Sequence, residues 1–285
     1  MYEDRTRIEF GAGGSSTVPL LFSPQVPRCM AAGPGGRPLR VLFDTGTDPS
    51  AIDLGLARRL GLPLGGFSLG SGAASDSVPF AESVLPWLRI GDLVLRDLYV
   101  LALDLRASPL DVDLVLGYNV LPYLRLHIDY RDARLRLCHP DLGPPQPSPQ
   151  GALLPLSFYE HFPALSDLWV DEHLHLPLVT IDTGSNGGLT LGADLAARLG
   201  LLSDEPDAST GHGIGFGGAS NIVQGLATSL RLGPFLLENI ELDAPTAVAG
   251  DLPRLGRANL GNRLLSRFAS LTLDYHRGLC VLERT

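Results

Sequence analysis

Lysine is absent from this 285-residue chain, so all 22 basic residues are arginines, scattered against 31 acidic ones for a net charge of −9. A surface of that sign without a basic run offers no footprint for a phosphate backbone, which argues against nucleic acid as a partner. Cysteine is scarce as well. Cys29, Cys138 and Cys280 cannot all pair, and the last two hold matching places in RLRLCHP and RGLCVLE. Buried free thiols are expected, and with them a reducing, cytoplasmic setting. No segment reaches the roughly eighteen uninterrupted apolar residues of a membrane span. The amino-terminal MYEDRTRIEF has charges of both signs and no apolar core, so no secretion signal is expected either, and only a leader already removed would point to the periplasm. Charged residues make up only 19%, against 45% hydrophobic ones, with 33 glycines and 23 prolines, which implies many turns, few long exposed helices and a β-rich fold.

The chain repeats itself, and a repeat constrains every later assignment. VLFDTGTDPSAIDLGLARRLGL at 41–62 returns as VTIDTGSNGGLTLGADLAARLGL at 179–201, each with Asp-Thr-Gly after an apolar strand and an Arg-Leu-Gly-Leu ending. Each half then gives a glycine-rich stretch, a strand series, an apolar-Gly segment (Leu116-Gly117, Leu260-Gly261) and a closing strand pair, HIDYRDARLRLC or TLDYHRGLCVLE. Between the halves, HPDLGPPQPSPQG has the proline content of a semi-rigid connector. The expected division is 1–140, a proline-rich linker at 141–150, and 151–285, two units of ordinary domain size. Ser50 and Asp53 have capping-box spacing ahead of Leu54, Leu56 and Leu60, with Gly61 as a stop, so a short helix is expected there. Gly91-Asp92 and Gly233-Pro234 read as two-residue hairpin links. A doubly wound nucleotide fold, which alternates strands and helices throughout, is excluded.

Two equivalent units about a pseudo-two-fold axis bring a residue near the axis up against its own counterpart. If Asp44 and Asp182 meet there, the two carboxylates cannot both be ionised cheaply, and the pair shares one proton. Such a pair is an acid and a base at once. Its ionised member can deprotonate a water while the protonated member hydrogen-bonds a peptide carbonyl, giving a tetrahedral intermediate without a covalent adduct. A single Asp-Thr-Gly is better read as a turn in which the aspartate accepts backbone hydrogen bonds; the matched recurrence favours chemistry.

In these residues the chain resembles the aspartic proteases, most closely the bacterial retropepsin-like aspartyl proteases, over about Ile8 to Leu137 and again Leu153 to Leu282. The resemblance implies a mainly β fold of two retropepsin-like (acid protease) β-barrel lobes related by a pseudo-two-fold axis, with a short helix after each catalytic loop. It implies that Asp44 and Asp182 are the catalytic dyad. Thr45 and Thr183 would brace the two loops across the axis, and Gly46 and Gly184 would allow close backbone approach. Substrate-covering flaps are implied at Gly70, Ser71 and Gly72, and at Gly213, Ile214 and Gly215 within the stretch 211–218. The apolar-Gly segments would pack beneath the catalytic loops. Thr47 and Ser185 depart from the alanine common in retropepsins, Asn259 stands where a second apolar residue is usual and so predicts a less regular second unit, and neither flap carries a tyrosine.

Other motifs carry less. Asp129 and Asp274 recur ahead of RDAR and HRGL, where a turn role is expected. His173 and His175 in HLHLPL are expected on a solvated strand face, without ligand spacing for a metal. GHGIGFGG lacks the lysine a P-loop needs, and no Gly-x-Ser-x-Gly triad can be assembled. The expected activity is that of an aspartic endopeptidase acting on an extended polypeptide, with no cofactor and no metal, no nucleic-acid or membrane partner, and a single chain sufficing, with a homodimer as the other assembly. The other reading is a peptide-binding protein of acid-protease fold that does not turn over.

Overall fold

The computed structural model of the chain describes residues 3–22, 26–72, 75–107, 110–201, 209–215, 218–246 and 258–284. Strands dominate. Among the described residues the α-helices are short: Leu54–Arg59, Ala193–Arg198 and Asn262–Leu265. None is long and apolar enough to cross a membrane.

The first half closes a six-stranded β-barrel. Going round it, Pro27–Ala32 pairs with Pro38–Phe43, then come Leu114–Leu116, Ala51–Asp53, Leu93–Leu103 and Ser75–Ile90, which returns to Pro27–Ala32 through Ala32 and Arg89. The second half closes the same ring from Phe162–Val170, Leu174–Asp182, Ala258–Gly261, Leu189–Leu191, Phe235–Pro245 and Gly218–Leu232, returning through Trp169–Arg231 and Val170–Leu230. Both rings run through antiparallel and parallel contacts in the same order, so the two halves share one topology. Alternation fills the first barrel with one break: Leu93 and Leu95, and beyond Asp97 at φ 50° Leu98 and Val100, are fully buried along one strand, while Arg96 is exposed. Arg7–Phe10 adds an outer strand on Leu93–Leu103 of the first ring, and Ser157–Tyr159 adds one on Phe162–Val170 of the second.

The hairpin links follow the sequence. Gly91-Asp92 joins Ile90 to Leu93, and Gly233-Pro234 joins Leu232 to Phe235. Both glycines have positive φ, while proline cannot, so Gly233-Pro234 has the backbone of a type II′ turn. The first helix begins later than its capping pattern suggested. Asp53 is the N-cap and accepts from the Leu56 N–H at 2.8 Å, but Ser50 caps nothing. Its hydroxyl donates to Asn119 Oδ1 and accepts from the Gly117 N–H, because Ala51–Asp53 is drawn into the barrel as a strand. Gly61 and Gly200, both with positive φ, follow the two equivalent helices as stops.

A third sheet joins the halves. Its order is Gly151–Pro155, Leu279–Glu283, Ser270–Asp274, Arg125–Asp129, Arg134–Cys138 and Ser15–Pro19, three strands from each half of the chain. At its centre His127 lies opposite Thr272, with Nδ1 2.8 Å from Oγ1. These are equivalent positions in HIDY and TLDY, so the pseudo-two-fold axis passes between them. Asp129 accepts from the Asp132 N–H and Asp274 from the Arg277 N–H, which closes the turn after each strand. Residues 141–150 contain no strand or helix. Cys29, Cys138 and Cys280 are all free and buried.

Candidate active site

The two aspartate turns are presented by equivalent parallel strand pairs. The Asp44 N–H donates to Leu116 O at 3.0 Å as Pro38–Phe43 ends, and Asp182 is the last residue of Leu174–Asp182, opposite Gly261. Beneath each turn the apolar-Gly segment leaves no room for a side chain. A Cβ on Gly117 would collide with Thr47 O, and one on Gly261 with Gly187 O. The next N–H in each case closes the contact, Tyr118 to Thr47 O at 2.9 Å and Asn262 to Ser185 O at 2.7 Å.

Across the axis the turns are locked by the threonines. Thr45 Oγ1 donates to Ile181 O at 2.6 Å and accepts from the Thr183 N–H at 3.1 Å. Thr183 Oγ1 donates to Phe43 O at 2.6 Å and accepts from the Thr45 N–H at 3.2 Å. Both threonines are buried, so each hydroxyl satisfies a carbonyl and an amide of the opposite half where water cannot.

This lock brings Asp44 and Asp182 into side-chain hydrogen-bond contact. Glycine is required at the third position of each motif by the same proximity. A Cβ on Gly46 would lie 2.8 Å from the carboxyl carbon of Asp182, and one on Gly184 would run into the Asp44 carboxyl. Burial, followed by the neighbouring charge of Asp182, pushes the Asp44 carboxyl up to about 8. Burial also raises Asp182, against the opposing pull of its hydrogen bonds, first among them that from Asn259.

The donors differ between the two carboxyls. Asp44 accepts from the Gly46 N–H at 2.8 Å and from Thr47 Oγ1 at 2.6 Å. Asp182 accepts from the N–H groups of Gly184 and Ser185 at 3.0 and 2.9 Å and from Asn259 Nδ2 at 3.0 Å. Neither Thr47 nor Asn259 was singled out by the sequence as a partner of the aspartates. The signal for Asn259 was its unequal partner in the repeat, Val115, and the strand around it is as well paired as its counterpart. A further cross-half bond joins Tyr130, whose hydroxyl donates to Asn262 Oδ1 at 2.7 Å; its counterpart Tyr275 is partly buried and has its phenol raised first by desolvation and then by the charge of Asp44.

The suspected flap glycines lie on equivalent hairpins. Gly70, Ser71 and Gly72 end Leu64–Gly72, paired with Ser75–Ile90, and Gly213, Ile214 and Gly215 end Ser209–Gly215, paired with Gly218–Leu232. The four bonds of the threonine lock involve neither hairpin. Residues 216 and 217 of the second glycine stretch lie outside the described residues. His173 falls in the turn before its strand and His175 within it, 3.1 Å from Asp167 and stacked on Trp169, so the two do not share a strand face.

A family model described as aspartyl protease matches residues 31–120, which include the first Asp-Thr-Gly. Over those residues the chain is similar to the aspartyl proteases. The crystal structure of a retropepsin-like aspartic protease from Rickettsia conorii is similar at 18% identity and a TM-score of 0.36, covering 47% of this chain and 90% of that one. No curated protein matches the chain.

Proposed function

We propose that the chain is an aspartic endopeptidase whose dyad is Asp44 and Asp182, one from each of two lobes, 1–140 and 151–285, joined by the linker 141–150. The observation that carries this reading is the contact between the two carboxyls across the axis, which a pair of simple turn aspartates would not need to make. Carboxyls so close share one proton near neutrality, which gives the site an acid and a base in the same place.

In the proposed reaction a water positioned by the dyad gives a proton to the ionised carboxylate, and its oxygen attacks the peptide carbonyl carbon. The protonated carboxyl gives its proton to the carbonyl oxygen, producing a neutral gem-diol. In collapse the first carboxyl passes its proton to the amide nitrogen, the C–N bond breaks, and the second recovers a proton from a diol hydroxyl. An extended polypeptide would bind beside the dyad under the two glycine-bearing hairpins, which offer backbone pairing to a strand-like substrate. Both aspartates come from one chain, which favours a self-contained enzyme.

The test is cleavage of a denatured protein across pH 3 to 8 by the wild type, Asp44→Asn and Asp182→Asn. The expected result is activity abolished by either change and a specific activity unaffected by dilution. Binding of the denatured protein without cleavage by the wild type would instead identify a non-catalytic peptide-binding protein.

A further inference from the structure

We propose that Asn259 divides the roles of the two carboxyls: it holds Asp182 as the carboxylate that takes a proton from water and leaves the shared proton on Asp44. The inference rests on reading the pair as a protease dyad.

The duplication supplies the comparison. In the first barrel Leu42, Val115 and Ala51 lie side by side on adjacent strands and belong to one apolar cluster. In the second barrel the same three places are Thr180, Asn259 and Thr190. An apolar triplet has become a polar one at a single point of the repeat, directly beneath one aspartate. Asn259 is 7% exposed, so its amide needs partners on both sides. It has them. Thr180 Oγ1 donates to Asn259 Oδ1 at 2.7 Å, which turns Nδ2 toward Asp182 Oδ2 at 3.0 Å.

What these donors can do differs in kind. The three groups on Asp182, two backbone N–H and one amide N–H, can only donate, so they serve an ionised oxygen and cannot receive a proton from it. On Asp44, Oδ2 meets the Thr47 hydroxyl, which can reverse and accept. The proton is therefore tolerated on Asp44 and opposed on Asp182. Val115 offers Asp44 no counterpart to the Asn259 amide.

Few other charged or titratable groups bear on the pair. Tyr275, with Tyr118 near it, acts on the Asp44 side. Asp243 on the neighbouring strand is engaged by the Gly188 N–H and Gln224 Nε2, and Arg263 pairs with Glu241. None of these groups donates to Asp182.

The experiment is a 13C-carboxyl NMR titration of the dyad in the full chain, alongside the acid limb of kcat/KM, for the wild type, Asn259→Val and Thr180→Val. Asn259→Val copies the first barrel; Thr180→Val keeps the amide but releases its anchor. In Asn259→Val the lower of the two apparent transitions should rise by about one to two pH units, carrying the acid limb with it. Thr180→Val should move it the same way by less. A purely structural asparagine would lower stability without moving the transition, and an unmoved transition in a folded Asn259→Val overturns the proposal. Should that variant not fold, an unmoved transition in Thr180→Val overturns it. A wild type that cleaves nothing would remove the protease reading while the titration still decided whether Asn259 sets the proton; a cleaving wild type with an unmoved transition would remove only the role of Asn259.

Discussion

Thr45 and Thr183 each satisfy a carbonyl and an amide of the other's strand ending, four hydrogen bonds of 2.6 to 3.2 Å across the pseudo-two-fold axis. They fix the aspartate turns to each other rather than to their own barrels. At the far end of the axis His127 and Thr272 make the other equivalent contact, so the two halves are tied at both ends.

Thr183→Val removes a fully buried hydroxyl and leaves Phe43 O and the Thr45 N–H without their partner. Two orphaned buried groups should cost about 2–4 kcal/mol in denaturant unfolding. Thr183→Ser keeps both bonds and should cost less than about 1.5 kcal/mol, the scale of one lost methyl group. The same changes at Thr45 should be non-additive with those at Thr183, since all four bonds belong to one network.

Gly184→Ala drives a methyl group into the Asp44 carboxyl, whereas Gly46→Ala brings one to 2.8 Å from the Asp182 carboxyl carbon. Both should separate the aspartates. A displacement on the scale of an ångström in a reacting pair costs about 10²-fold in rate, and Gly184→Ala should be the worse of the two. Steady-state kinetics on a peptide substrate checks the ranking.

Burial and the charge of Asp182 push the Asp44 carboxyl up to about 8 from the ordinary 3.8, so folding favours its protonated form. That contribution is complete below pH 3.8 and is lost as pH rises through about 8. Asp44→Asn, which cannot ionise, should therefore match the wild type near pH 4 and exceed it near pH 8, with Tm about 2–5 °C higher. Thermal melts at the two pH values decide this; equal gains at both would rule out a raised carboxyl.

Burial pushes the Cys29 and Cys280 thiols up to about 12, so neither is a thiolate at neutral pH. Neither they nor the buried Cys138 should react with iodoacetamide in the native state, and all three should do so in denaturant. Mass spectrometry counts the adducts. Labelling of one thiol without unfolding would show that its strand opens locally.

The matched halves, the two Asp-Thr-Gly turns, the hairpin links at Gly91-Asp92 and Gly233-Pro234 and the β-rich class are legible along the chain, because each is written in local spacing. Turn chemistry and period-2 burial act over a few residues, and a repeat makes each signal count twice. What lies between the halves emerges only from folding. The closing of each ring, the six-stranded sheet built from both halves and the contact of Asp44 with Asp182 depend on pairings more than a hundred residues apart along the chain for the central strands and the dyad. Ser50 shows the limit of local reading: its spacing suited a helix cap, but barrel pairing at Ala51–Asp53 made it a brace for Gly117. Asn259 shows the same limit from the other side. In sequence it was an oddity in an apolar strand, and it gained a partner only when parallel pairing with Thr180 set its amide beneath Asp182.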